Sequence, residues 1–237
     1  MEELARLFST QLELSNLEYQ KKLRRQAELK ALQSQVNPHF LYNALNTISF
    51  ICRENAERAR ELLLTLASYY RQTLENEQYM LNLHTELYHI NTYLELEKAR
   101  FEEKLQVTMD IEEDLDCMVP SFILQPLVEN AVQHGIHDCM ETGKIRMSIH
   151  KDGDNLEITV SDNGAGMTQE MIQSVMAGKA RNNGEDRYST GIAVGNVIDR
   201  LELYYKQKDL LTIESEGLGL GTSVHITLPV EVEGTSE

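Results

Sequence analysis

The sequence predicts an α + α/β architecture, an all-helical region followed by a mixed α/β domain, and three observations predict it. From Glu2 to Phe101 the 237-residue chain contains one proline and no glycine, the two residues that cost most inside helices. All 13 glycines lie beyond residue 134. From residue 105 onward, strand-like alternation is interleaved with helical spacing. The change of composition falls near residues 103–106, which divides the chain into a helical region over 1–103 and a second domain over 104–237.

In the first region apolar residues recur at steps of three and four: Leu4, Phe8, Leu12, then Leu29, Leu32, Val36. This spacing predicts one long helix through Val36, suited to a coiled coil although KKLRRQ interrupts the stripe. Pro38 then bars the α conformation at Asn37 and removes a backbone donor, so the helix kinks there or a new one begins, running to about residue 53. The stripe returns in Leu62, Leu66, Tyr69 and Tyr70, and again in Leu87, Ile90 and Leu94, predicting helices over 57–76 and 85–102. In the second region, alternation predicts strands over 105–111, 144–150, 155–162, 210–215 and 223–230. Helical patterns over 121–136, 168–178 and 192–205 lie between them.

Composition narrows the function. A net charge of -16 argues against nucleic acid or an anionic membrane surface as a direct partner, and a polyphosphate ligand would need a metal ion or backbone N–H groups. Cys52, Cys117 and Cys139 are odd in number and widely spaced, which points to a reducing compartment and away from a zinc site. No apolar run approaches the roughly 18 residues of a membrane span. The chain is expected to be cytoplasmic and soluble as given, with membrane attachment only through a segment missing from it.

Four boxes in the second region carry chemistry. In LVENAVQHGI, Glu129 and Asn130 stand on a predominantly apolar helix; acid plus amide suits Mg²⁺, which keeps waters and phosphate oxygens as its other ligands, although an exposed helix end reads the same way. DNGAGM follows a strand directly. An Asp at a strand end can accept from an exocyclic amine, and glycines two apart let a flat ring approach the backbone, while D-N-G is also ordinary turn chemistry. AGKARNNGEDRYST is a long polar segment ending at Gly191, where a helix opens, as a lid over phosphates would. GLGLGT precedes the last alternating strand.

In their order and spacing these boxes resemble the GHKL ATP-binding fold, an α/β sandwich shared by histidine kinases, Hsp90-type chaperones and MutL-type ATPases. The resemblance implies that Asp162 binds the adenine amine, with Gly164 and Gly166 shaping the floor. It also implies that Asn130, with support from Glu129, holds Mg²⁺. Gly191 and Gly195 belong to the lid helix, Gly219 and Gly221 pack closely against the lid, and Thr222 bonds near the phosphates. His134 takes a place where a polar or basic phosphate contact is common.

The front half is more specific. LQSQVNPHFLYNALNTI, with TELYHINTYLELEKARF further on, resembles the LytS/YesM-like sensor histidine kinases. That resemblance implies His39 as phosphoacceptor, a homodimer paired through the N-terminal helices, and transfer to an aspartate of a response regulator. A neutral imidazole has a lone pair that can attack a γ-phosphoryl group, and His39 sits in the first turn after a helix break. Phe40 follows it where many histidine kinases carry an acid, leaving Glu129 as the candidate base. Gln133 stands where lysine is common, and Ala193 replaces the second glycine of a G-x-G pattern. Two alternatives follow from those departures: a weak or inactive dimeric ATP-binding module, or a GHKL ATPase or serine kinase, which would leave NPHF without a use.

Overall fold

A computed structural model of the chain describes residues 38–75, 78–136, 142–178 and 189–230. The helix expected through Val36 and the lid residues 179–188 lie outside the described residues. Helix α1 (Pro38–Ile51) starts on the proline, a position where the missing N–H costs nothing, and buries Phe40, Ala44 and Ile48 at steps of four. Helix α2 (Ala56–Glu75) is capped by Asn55, whose Oδ1 accepts the Arg58 N–H at 2.9 Å. Its buried stripe is Ala59, Leu62, Leu66 and Tyr69. Helix α3 (Leu83–Phe101) is capped by Asn82, which accepts from the His84 N–H at 2.9 Å.

α3 is buried around much of its circumference, at Leu83, Glu86, His89, Ile90, Tyr93, Leu94, Leu96 and Glu97. It packs against α1 and α2 as well as against the second region. A helix covered from several directions needs no single apolar stripe. This position makes one apolar core continuous from Phe40 to Leu228.

The second region is a two-layer sandwich. Strands β2 (Leu105–Ile111), β4 (Gly143–Asp152), β5 (Asn155–Asp162), β6 (Leu211–Glu214) and β7 (Thr222–Pro229) form a sheet in the order β2-β4-β5-β7-β6. β2 runs parallel to β4 and the other pairs are antiparallel. The alternation read from the sequence puts Ile145, Met147, Ile149, Leu156, Ile158 and Val160 on the buried face. Helix α4 (Gln125–Ile136) packs on β4 and β5. Helix α6 (Ser189–Tyr205) lies beside α4, and α5 (Gln169–Met176) lies against α6. The outer face carries polar cross-strand pairs, Thr159 with His225 at 3.0 Å, Ser161 with Ser223 at 2.9 Å and Glu157 with Thr227 at 2.8 Å.

Three expectations change. Strands β1 (Met80–Asn82) and β3 (Met118–Pro120) pair antiparallel, Leu81 opposite Val119, a ribbon too short to show a period in the sequence. The helix expected from residue 121 begins at Gln125. Before it, Phe122 adopts φ 57, and the turn is held from both sides. The Glu86 carboxylate accepts from the N–H groups of Phe122 at 3.2 Å and Leu124 at 3.1 Å, while Arg200 donates to the carbonyls of Ser121 and Phe122. Finally, α6 begins at Ser189, so Gly191 lies within its first turn instead of opening it.

Candidate functional site

Two neighbouring constructions hold the residues singled out from the sequence. The first is built of backbone. β5 delivers Asp162 to the strand end, where its Oδ1 accepts the Gly164 N–H at 2.8 Å. Burial pushes the Asp162 carboxyl up to about 6, against the N–H groups of Gly164 and Thr222, which favour the charged form. Register explains the second donor: Thr222 is the β7 partner of Asp162.

The two glycine loops are pressed together. Gly221 donates to the Gly164 carbonyl at 3.2 Å and Gly219 to the Ala165 carbonyl at 2.6 Å. Ser215, unnoticed in the sequence, knits them further. Its hydroxyl oxygen accepts the Met167 N–H at 2.9 Å, and the hydroxyl donates to the Gly221 carbonyl at 2.6 Å. A Cβ on Gly166 would stand 2.0 Å from the Gly217 carbonyl oxygen, and one on Gly221 would stand 2.1 Å from that of Asp162. Gly221 is therefore packed closely against the strand end of the other loop, and the packing against the lid expected of Gly219 and Gly221 falls on residues outside the described ones. Gly219 meets nothing within 4 Å; its need for glycine is a φ of +78. The His134 carbonyl joins the same loop by accepting the Ala165 N–H at 3.2 Å.

α4 carries Glu129, which lines the second construction, and Asn130 next to it in the chain. Asn130 Nδ2 is buried without a hydrogen-bond partner. Rotating the amide by 180° would put its carbonyl oxygen in that position, so the side chain can offer either a donor or a metal ligand there. Among the described residues no three His, Cys, Asp or Glu side chains cluster to hold a metal ion. Mg²⁺ bound at Asn130 would draw its remaining ligands from phosphate and water, which suits that ion. On α6, Gly195 is buried and Ala193 half-buried.

The second construction is a small cleft of side chains open to solvent. His39 is exposed at its edge, and Phe40, Tyr93, Glu97, Arg100, Glu129 and Gln133 are among the residues that line it. Phe40 sets this arrangement. Its ring lies 4.9 Å from that of Tyr69 and 5.1 Å from that of Tyr93, pinning the first turn of α1 onto α2 and α3. Asn43, one turn on, places its Nδ2 3.3 Å and 3.2 Å from the two ring nitrogens of His39.

Glu129 faces this cleft. Its Oε1 accepts from the Tyr69 hydroxyl at 3.1 Å and from Gln125 Nε2 at 2.7 Å. Burial pushes the Glu129 carboxyl up, and these two hydrogen bonds oppose it. Burial raises the Tyr69 phenol above its ordinary value, with the Glu129 charge adding to the rise, and takes the Tyr70 phenol to about 12. Glu97 is 3 % exposed, and burial lifts its carboxyl to about 7 although Arg100 draws it down. Asn43, Tyr69, Glu97 and Arg100 were missed as site residues. Only the i, i+4 spacing of Asn43 from His39 was visible beforehand.

Comparison with known proteins follows the same division. Two family profiles match in tandem, one described as histidine kinase over residues 27–105 and one as histidine kinase-, DNA gyrase B- and HSP90-like ATPase over 120–232. The sensor protein LytS of Bacillus cereus is 41% identical over 233 residues, covering 98% of this chain and 39% of its own. LytS of Bacillus subtilis is 40% identical over 232 residues, 97% of this chain and 38% of its own. The sensor histidine kinase YpdA of Escherichia coli is 40% identical over 203 residues, 85% of this chain and 35% of its own. The chain thus spans under two fifths of the length of these relatives.

Proposed function

The chain belongs to the sensor histidine kinase family, and from that premise we propose that it transfers the γ-phosphoryl group of ATP to His39 and passes it to an aspartate of a response regulator. The observation that carries this is the cleft, which sets an exposed imidazole against the helix bearing Glu129 and Asn130. Phosphoryl transfer needs alignment and charge neutralisation more than covalent help. His39 is the nucleophile. Asp162 receives the adenine amine on a carboxylate already preorganised by two N–H groups, one of them from Thr222, its β7 partner. The glycine loops, Gly191 and Gly195 of the lid helix and His134 surround the remaining nucleotide. Asn130 is the Mg²⁺ ligand; the ion, when bound, neutralises charge on the phosphates. The tandem match of an acceptor region and an ATPase region favours neither the binding-only nor the serine-kinase alternative.

Residues 1–103 would supply the dimer and the acceptor, and 104–237 the nucleotide site. Tyr42, Leu45, Phe50, Leu63 and Leu64 of α1 and α2 are exposed, and a second copy of the chain would cover such side chains at low cost. No described helix is long and apolar enough to cross a membrane; attachment through a segment absent from this chain would give a cytoplasmic kinase below a membrane sensor.

The test uses two variants. His39→Gln should abolish labelling by γ-labelled ATP while Mg·ATP affinity stays within about 0.5 kcal/mol, since none of the proposed ATP contacts is removed. Asn130→Asp should lose labelling through the metal site while keeping the acceptor. Mixed dimers of the two, labelled only on the chain that keeps His39, would demonstrate transfer between subunits. Undiminished labelling of His39→Gln would falsify the acceptor assignment.

A further inference from the structure

The cleft contains two groups that the reading above leaves unused. Glu97 Oε2 is buried and has no hydrogen-bond partner. Its nearest ion-pair contact is Arg100 Nη1 at 3.6 Å, too long for a hydrogen bond. The Arg100 guanidinium carbon lies over the Phe101 ring, 4.4 Å from its centroid, a cation–π contact that steadies the group while leaving N–H groups for an oxyanion. A buried carboxylate oxygen offset only by one long contact to Arg100 is costly in a fold that satisfies nearly all such atoms. The Glu97 side chain lines a cleft that His39 lines as well.

We propose that Arg100 and Glu97 of α3 are the acceptor-side half of the phosphoryl-transfer site: the Arg100 guanidinium meets the oxygens of the phosphoryl group as it reaches His39, and the Glu97 carboxylate takes the proton that His39 releases. This rests on the histidine kinase reading. In the step, one ring nitrogen forms the N–P bond as the bond from Pγ to the β–γ bridging oxygen breaks, and that electron pair leaves with ADP. The proton on the other ring nitrogen passes to Glu97 directly or through one water in the cleft. Glu129 is the poorer acceptor, because Tyr69 and Gln125 already donate to its Oε1. The titratable groups around Glu97 are His39 from α1, Tyr69 from α2, Tyr93 and Arg100 from its own helix and Glu129 from α4. Burial, opposed by Arg100, raises the Glu97 carboxyl to about 7, near the value a general base at neutral pH needs.

The experiment follows labelling of His39 by γ-labelled Mg·ATP in the full chain, together with ATP affinity by calorimetry and melting temperature. Arg100→Ala and Glu97→Gln should each slow labelling about 100-fold or more and change ATP affinity less than about twofold. Guanidinium ions, well below denaturing concentration, should restore labelling to Arg100→Ala. Glu97→Gln should melt higher than the parent at pH 8, because a buried charge is removed. Arg100→Lys, which keeps charge without the planar fork, should fall between Ala and the parent and serves if the alanine variant does not fold. Parental labelling rates in Arg100→Ala or Glu97→Gln, with His39 labelled normally in the parent, would overturn this inference alone. So would a slow Arg100→Ala that guanidinium does not rescue, or a Glu97→Gln that is slow and melts lower. A parent chain labelled elsewhere than on His39 would overturn the histidine kinase reading itself.

Discussion

The glycine loops around Asp162 and the cleft beside His39 are built on opposite plans. Around Asp162 the contacts are backbone to backbone, and the side chains that matter most are the ones glycine lacks. Around His39 the contacts are side chain to side chain, drawn from four helices and from positions 39, 69, 97 and 129. The backbone construction has no room for a Cβ at Gly166 or Gly221, and its carboxylate, Asp162, is met by two backbone N–H groups. The side-chain construction has room, and it keeps carboxylates in a place where burial opposes their ionisation.

The steepest test of that contrast is Gly221→Ala. A Cβ 2.1 Å from the Asp162 carbonyl oxygen, at φ +78, should destabilise by more than about 4 kcal/mol, measured by urea unfolding. Gly219→Ala shares that φ without the collision and should cost only about 1–2 kcal/mol. Equal losses would mean that the loops are not held by close approach.

Glu97→Gln should act in the opposite direction. The unfolded chain loses this proton near 4.5 and the folded chain at about 7, so the folded state binds more protons between those values. Stability therefore falls as pH rises through that window and stays lowered above it. The substitution should stabilise by about 3 kcal/mol at pH 8 and by less than about 1 kcal/mol at pH 5, read from denaturant curves at the two pH values. A pH-independent change would show that Glu97 acts only through packing.

Asp162→Asn should have the smallest effect, weakening ATP by about 1.5–3 kcal/mol, the worth of a hydrogen bond to a charged group, with little change for GTP-like nucleotides. Because the carboxyl is raised to about 6, ATP affinity of the parent should decline as pH falls through that value. Calorimetry at pH 5 and 7.5 should find the variant flat across the same interval. Comparable losses for both bases would remove Asp162 from the adenine role.

The two constructions also differ in how far they could be read beforehand. Asp162, Gly164, Gly166, Gly219, Gly221 and Thr222 lie in two short runs with recognisable turn chemistry, and the structure brings those runs together. For Gly221 the structure identifies one close neighbour, the strand end at Asp162, while the lid residues lie outside the described residues; a glycine announces that something comes close without saying what. The β1–β3 ribbon and the late start of α4 were hidden for a related reason. Both depend on partners some 35 residues away, the former through strand pairing and the latter through Glu86.

The sequence by itself determined the order of the two regions, the helical character of the first, the alternating strands of the second and the presence of His39 just inside a helix start. Each follows from short-range rules, because helix cost, side-chain period and glycine conformation are set within a few residues. Only the tertiary structure decided that Phe40 anchors α1, that α3 is covered on several sides and that Glu97, Arg100 and Glu129 share a cleft with His39. Periodicity tells which residues lie on one face of a helix, but which helix meets that face depends on packing the whole core at once.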